Sequence, residues 1–108
     1  MNRPAIISIG ETLWDLFPKI ERFGGAPANF ACQAAIQGAE VSMISAVGSD
    51  DRGREAISIL DGFGIDASLI QVVQGIETGI VSVELDQKGK PTFVIHQGSA
   101  WDLSLIHI

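Results

Sequence analysis

Short apolar runs punctuated by glycine dominate the first half of this chain, and two alternating runs dominate the second. Residues 5–9, Ala-Ile-Ile-Ser-Ile, form an apolar run closed by Gly10 and read as a buried first strand. Residues 12–17 predict a second strand, and 19–23 a short connection with a few extended residues. Residues 27–37 predict a helix stopped by Gly38 at the C′ position. Its side chains are small nearly all round, with Ala28, Ala31, Cys32, Ala34 and Ala35, so it is expected to be buried against a sheet. Residues 40–47, rich in Val, Met and Ile, predict a third strand. Asp50 or Asp51 can cap a second helix running through Phe63 and ended by Gly64. On it Ala56, Ile59, Leu60 and Phe63 keep the i, i+3, i+4, i+7 spacing of one buried stripe. Residues 78–85 and 92–96 alternate and are joined by the turn-rich segment 86–91, which predicts a β-hairpin. The order is α/β, with no internal repeat and no low-complexity linker.

Composition narrows the class. With 108 residues the chain is at most one domain. A hydrophobic fraction of 46% with 12 glycines suits a globular α/β protein and not a disordered one. The net charge of −6 argues against nucleic acid or an acidic membrane surface as partner. Cys32 has no second cysteine to pair with, which fits a reducing cytosol. The apolar runs are far short of a membrane span, and no signal peptide is visible.

The densest candidate chemistry is Gly24-Gly25-Ala26-Pro27-Ala28-Asn29-Phe30-Ala31. Two glycines let the backbone come close to a ligand. Pro27 suits a helix's first turn, where its missing N–H costs nothing. Asn29 sits one turn in, with an amide that donates and accepts. The unpaired N–H groups of a helix start suit an oxygen-rich ligand such as a sugar. A plain loop-to-helix junction is the other reading.

Asp15 stands among Trp14, Leu16, Phe17 and Pro18. A carboxylate in apolar company must be paired or hydrogen-bonded, because burying it bare is very costly. It can grip two adjacent hydroxyls, or cap nearby N–H groups as a structural carboxylate. Glu11 falls on the same strand face as Asp15 and reads as structural. Trp14 and Trp101 read as core in preference to a stacking surface. His96 reads as a satisfied core or surface histidine in preference to a substrate contact.

Other chemistries are set aside. Gly48-x-x-x-x-Gly53 is followed by Arg54-Glu55 and not by Lys-Ser/Thr, so it is not a P-loop. Gly10 lacks the rest of a dinucleotide fingerprint. There is no paired His/Cys spacing for zinc, no calcium loop, and no good basis for a Cys–His dyad.

Beyond the Gly24–Ala31 loop the spacing continues to Gly38 and then Gly48. With Gly10-Glu11-Thr12-Leu13-Trp14-Asp15-Leu16-Phe17-Pro18, Gly48-Ser49-Asp50-Asp51-Arg52-Gly53 and Thr78-Gly79, residues 5–102 resemble the PfkB-type, ribokinase-like carbohydrate kinases. Gly25-Ala26-Pro27 is more like fructokinases than ribokinases, and 2-keto-3-deoxygluconate kinases stay open. The resemblance implies the N-terminal part of a three-layer α/β/α sandwich with β-lid elements. It implies transfer of the γ-phosphoryl group of ATP to a sugar hydroxyl with Mg2+ assisting. It places substrate binding on Asp15, Gly24, Gly25 and Asn29. It also implies a cytoplasmic protein with a small-molecule sugar as partner, a homodimer being open to the full-length form. The family's catalytic Gly-Ala-Gly-Asp type motif and its ATP-binding segments have no match here. No catalytic, cofactor-binding or metal residue is therefore assigned in this chain, and as given it is expected to be inactive. A sugar- or nucleoside-binding module without catalysis is the alternative.

Residues 103–108, Leu-Ser-Leu-Ile-His-Ile, resemble one reading frame of a transposon end used in sequencing libraries. They read as a sequencing or assembly scar, leaving 1–102 as a partial kinase domain. The other reading is an ordinary strand start.

Overall fold

A computed structural model describes residues 3–96 and Ala100. Trp101, Gly98, Ser99 and the suspected scar at 103–108 lie outside the described residues.

The elements run β1 (Ala5–Ile9), β2 (Leu13–Leu16), β3 (Glu21–Gly24), α1 (Ala26–Ile36), β4 (Glu40–Gly48), α2 (Asp51–Gly62), β5 (Ile70–Val73), β6 (Gly79–Leu85) and β7 (Pro91–Ile95). They form two sheets. One is parallel, in the order β1-β4-β5. The other is mixed, in the order β3-β2-β6-β7, with β2 parallel to β6 and antiparallel to β3, and β6 antiparallel to β7.

Both helices cover one face of the parallel sheet. Side chains alternate across a strand, so Val41, Met43 and Val47 of β4 point together. They meet Ala28 and Ala31 of α1, Ala56 and Leu60 of α2, and Ile70 of β5. Alanines on α1 let its axis lie close to the strands, and Met43 and Leu60 fill the space between. Fully burying a side chain of that size contributes about 1.5–3 kcal/mol.

The opposite face departs from expectation. Ile7 and Ile9 of β1 are 63% and 48% exposed, where a buried strand was predicted. Only the Ile6 and Ser8 side of β1 meets the helices. The α1 helix is likewise covered on one side only: Ala28 and Ala31 are buried, but Phe30 and Ile36 are exposed. Phe63 falls just past the end of α2 and is exposed, so the predicted stripe reduces to Ala56 and Leu60, with Ile59 half-buried.

Two strands differ from the sequence reading. The extended residues expected within 19–23 are a full strand, β3, which runs to Gly24 and pairs with β2. Residues 70–73 form β5, a strand that the sequence pattern does not predict. The predicted hairpin exists as β6 and β7, but β6 also pairs with β2, which makes it the middle of a sheet. Asp50, and not Asp51, caps α2, its Oδ1 accepting from the Gly53 N–H at 2.8 Å.

Candidate functional site

Residues directly opposite in a ladder share a face. Leu13 pairs with Gly24 and Gly79, and Asp15 with Arg22 and Val81. Val81 in turn pairs with Ile95, and Val83 with Phe93. One face of the mixed sheet therefore carries Leu13, Asp15, Val81, Phe93 and Ile95. Trp14 takes the other face, where it is buried edge-on against Phe23 at 5.6 Å and donates its Nε1–H to the Arg52 carbonyl at 3.1 Å. It is core, as its sequence context suggested.

The α1 start is delivered to this face by the turn after β3. The Ser8 hydroxyl donates to the Pro27 carbonyl at 2.7 Å, fixing the first turn to β1. Gly25 is the N-cap, with φ 97° and ψ 139°, and its carbonyl accepts from the Asn29 N–H at 2.9 Å. No side chain caps this helix start, so its first N–H groups stay available.

Between sheet and helix lies a cavity of about 430 Å3. Its polar side is made by Glu11, Asp15 and Asn29 with the backbone of Gly25 and Ala26. Its apolar wall is Leu13, Val81, Phe93 and Ile95. Gly24 sits where the polar groups converge: a Cβ there would stand 3.2 Å from Asp15 Oδ2 and 3.7 Å from Asn29 Nδ2. Residues far apart in the chain thus meet around one space. A carboxylate that only accepts, an amide that does both and free helix N–H groups suit a polyhydroxylated ligand. An apolar wall suits the C–H face of its ring.

Asp15, Gly24, Gly25 and Asn29, named from sequence, are brought together. Asp15 is half-buried and not enclosed by its apolar neighbours in sequence, because Trp14 turns away from it. Glu11 lines the same cavity as Asp15. His96 does not line it; its ring Nε2 lies 2.8 Å from the Ser82 hydroxyl. Sequence reasoning missed the apolar wall. Its signal was the alternation in 92–96, which puts Phe93 and Ile95 on one side of a strand.

Elsewhere, burial pushes the Asp50 carboxyl up, but hydrogen bonds from the Thr78 hydroxyl, the Thr78 N–H and the Gly53 N–H outweigh it. They hold it below the usual carboxylate range. Burial raises the Cys32 thiol.

ATP and Mg2+ need a phosphate cradle and metal ligands. The Gly48–Gly53 turn is filled by the Asp50 carboxylate and Thr78, which disfavours phosphate there. Among the described residues no group of three His, Cys, Asp or Glu could hold a metal ion. These residues do not fit the nucleotide's phosphates.

Two sheets, one helix-covered and one closing over a sugar-sized cavity, are the architecture of the ribokinase-like sugar kinases. A fructokinase structure from Vibrio cholerae O395 superposes with a TM-score of 0.86 at 26% identity, over 94% of this chain and 37% of that one. A sugar kinase from Pyrococcus horikoshii in complex with ATP superposes with a TM-score of 0.80 at 33% identity, over 88% and 35%. The pfkB family carbohydrate kinase profile matches residues 20–108, and the chain belongs to that family. The fructokinase of Salmonella typhimurium is 34% identical over 103 residues, which is 91% of this chain and 34% of the relative. The chain spans about a third of the length of the curated relatives it matches.

Proposed function

We propose that this chain is the N-terminal, sugar-binding part of an ATP-dependent carbohydrate kinase of fructokinase type. The observation that carries the reading is the convergence of Asp15, Asn29 and the Gly24-Gly25 turn on one cavity faced by Val81, Phe93 and Ile95. Asp15 accepts hydrogen bonds from two sugar hydroxyls, Asn29 donates to one oxygen and accepts from another, and the apolar wall excludes water from the ring. Bound so, the sugar presents one hydroxyl in a fixed direction. Holding an acceptor in place supplies much of such catalysis, since phosphoryl transfer depends on positioning and charge stabilisation.

ATP, with Mg2+, would supply the phosphoryl group and neutralise its charge. The ATP complex of the Pyrococcus relative supports nucleotide use, and two relatives named fructokinase support a ketohexose. The catalytic base and nucleotide site would lie beyond these residues, so residues 1–108 alone would not turn over sugar. The full-length protein is cytoplasmic in this reading, with a homodimer open to it. Among the described residues no helix is long and apolar enough to cross a membrane. The net charge of −6 disfavours nucleic acid.

The test is coupled-assay phosphorylation by the full-length gene product, with fructose, ribose and 2-keto-3-deoxygluconate compared. Fructose-dependent ADP release supports the reading. Saturable sugar binding without ADP release would leave a non-catalytic binding module, and absence of both would reject the sugar site.

A further inference from the structure

The mixed sheet meets the helix-covered sheet at a second place besides the α1 start: the first turn of α2. Three of its strands are tied there. Asp50 Oδ2 accepts from the Thr78 N–H at 3.0 Å, and Oδ1 from the Thr78 hydroxyl at 2.6 Å, immediately before β6 begins. The same hydroxyl accepts from the Gly48 N–H at 2.8 Å, at the end of β4. The Arg52 carbonyl holds the Trp14 indole of β2, and the Arg52 guanidinium pairs with Glu21 of β3.

The packing leaves no slack. A Cβ on Gly48 would overlap the Ile76 carbonyl oxygen and stand 2.7 Å from the Thr78 nitrogen. A Cβ on Gly53 would overlap the Gly48 carbonyl oxygen and stand 2.8 Å from Thr78 Oγ1. Thr78 is 1% exposed, and its hydroxyl is both donor and acceptor in this junction. Removing the hydroxyl strands the buried Gly48 N–H and takes one of two donors from Asp50 Oδ1, which keeps the Gly53 N–H.

We propose that Asp50 and Thr78 form the anchor that sets the height of the mixed sheet over α1, and are positioning residues for the sugar cavity. The link is short. Gly79 follows Thr78 and pairs with Leu13, and Val81 pairs with Asp15. A shift of β6 therefore moves Asp15 relative to Asn29, which is fixed to the other sheet through α1. The proposal rests on the sugar-site reading for its effect on activity, but the anchor itself has a readout that needs no sugar.

The experiment uses the full-length protein with Thr78→Val, Thr78→Ser and, as a core control, Val41→Ala. Steady-state kinetics are combined with amide hydrogen exchange. Thr78→Val is expected to raise the sugar KM about tenfold or more, as sub-ångström misplacement does. The ATP KM should stay within about twofold, because no ATP contact is touched. Exchange should speed up in β2, β6 and β7 and at the Gly48 amide, which loses its acceptor, and stay unchanged in β1 and the rest of β4. Thr78→Ser, which keeps the hydroxyl, should restore both. Val41→Ala should lower stability and leave the sugar KM alone.

An unchanged sugar KM in Thr78→Val, or an equal rise in Val41→Ala, overturns the positioning role. Uniformly faster exchange overturns the anchor. If the wild type binds sugar without phosphorylating it, the sugar Kd takes the place of KM; if it neither binds nor phosphorylates sugar, the sugar-site reading fails, and exchange alone decides the anchor by the same criterion.

Discussion

Replacing Gly25 with alanine tests whether the glycine turn is required by its conformation. Gly25 has φ 97° and ψ 139°, a region almost closed to residues with a Cβ. Holding a side chain there costs about 1–3 kcal/mol. The new Cβ would also stand 3.1 Å from the Glu11 carbonyl oxygen, 3.2 Å from Glu11 Cγ and 3.3 Å from Leu13 Cγ. That carbonyl has little freedom to retreat, because the next residue, Thr12, is fully buried and donates to Ser45 Oγ at 2.8 Å. The turn itself must shift, which separates Asp15 from Asn29. In the full-length protein, thermal unfolding should fall by roughly 2–4 °C per kcal/mol lost, and the sugar KM should rise with it. Gly62→Ala is the matched comparison. Gly62 ends α2 with nothing within 4 Å of a new Cβ, so alanine there should stabilise by up to about 1 kcal/mol. The reasoning is refuted if Gly25→Ala unfolds at the wild-type temperature, or if both variants move the same way.

Other outcomes follow from the packing and charges. The Asp50 carboxyl titrates below its ordinary range in the fold, so it stabilises at neutral pH and loses that contribution as pH falls through its folded value. Stability of Asp50→Asn, measured by denaturant unfolding from neutral to acid pH, should be lower at neutral pH and fall less steeply. Residues 1–108 expressed alone should be aggregated, molten or oligomeric on sizing chromatography, since Ile7, Ile9, Phe30 and Ile36 stand exposed; a monodisperse monomer with a sharp unfolding transition would contradict this. The codons for residues 103–108 should match the transposon end base for base, and other synonymous codons there would sink the scar reading.

Much of the fold could be read from the sequence where one period ran unbroken. Residues 40–47 and the glycine-stopped helices fall into this group, because their signals are local. The burial of β1 could not be read so, because an apolar run does not say whether both faces are covered. β3 was hidden in Glu21-Arg22-Phe23-Gly24, whose composition is that of a connection; its strand character comes from pairing with β2. β5 is only four residues long, and Gln71 interrupts its apolar run. At the cavity, Asn29 was legible because glycines and a helix-start proline precede it, and Asp15 because a carboxylate stands among apolar residues. The apolar wall came from a distant hairpin and needed the β2–β6 pairing to be seen. The Asp50–Thr78 junction joins residues 28 positions apart, and no local pattern reveals it.

The most direct test of the sugar-site reading is the sugar kinetics of Asp15→Ala and Asn29→Ala in the full-length protein. Each variant should lose on the order of 2–4 kcal/mol in kcat/KM for the sugar, mostly through KM, because the polar site is left unmatched. ATP affinity measured without sugar should barely change. Wild-type sugar kinetics in both variants would contradict the assignment of this cavity as the sugar site.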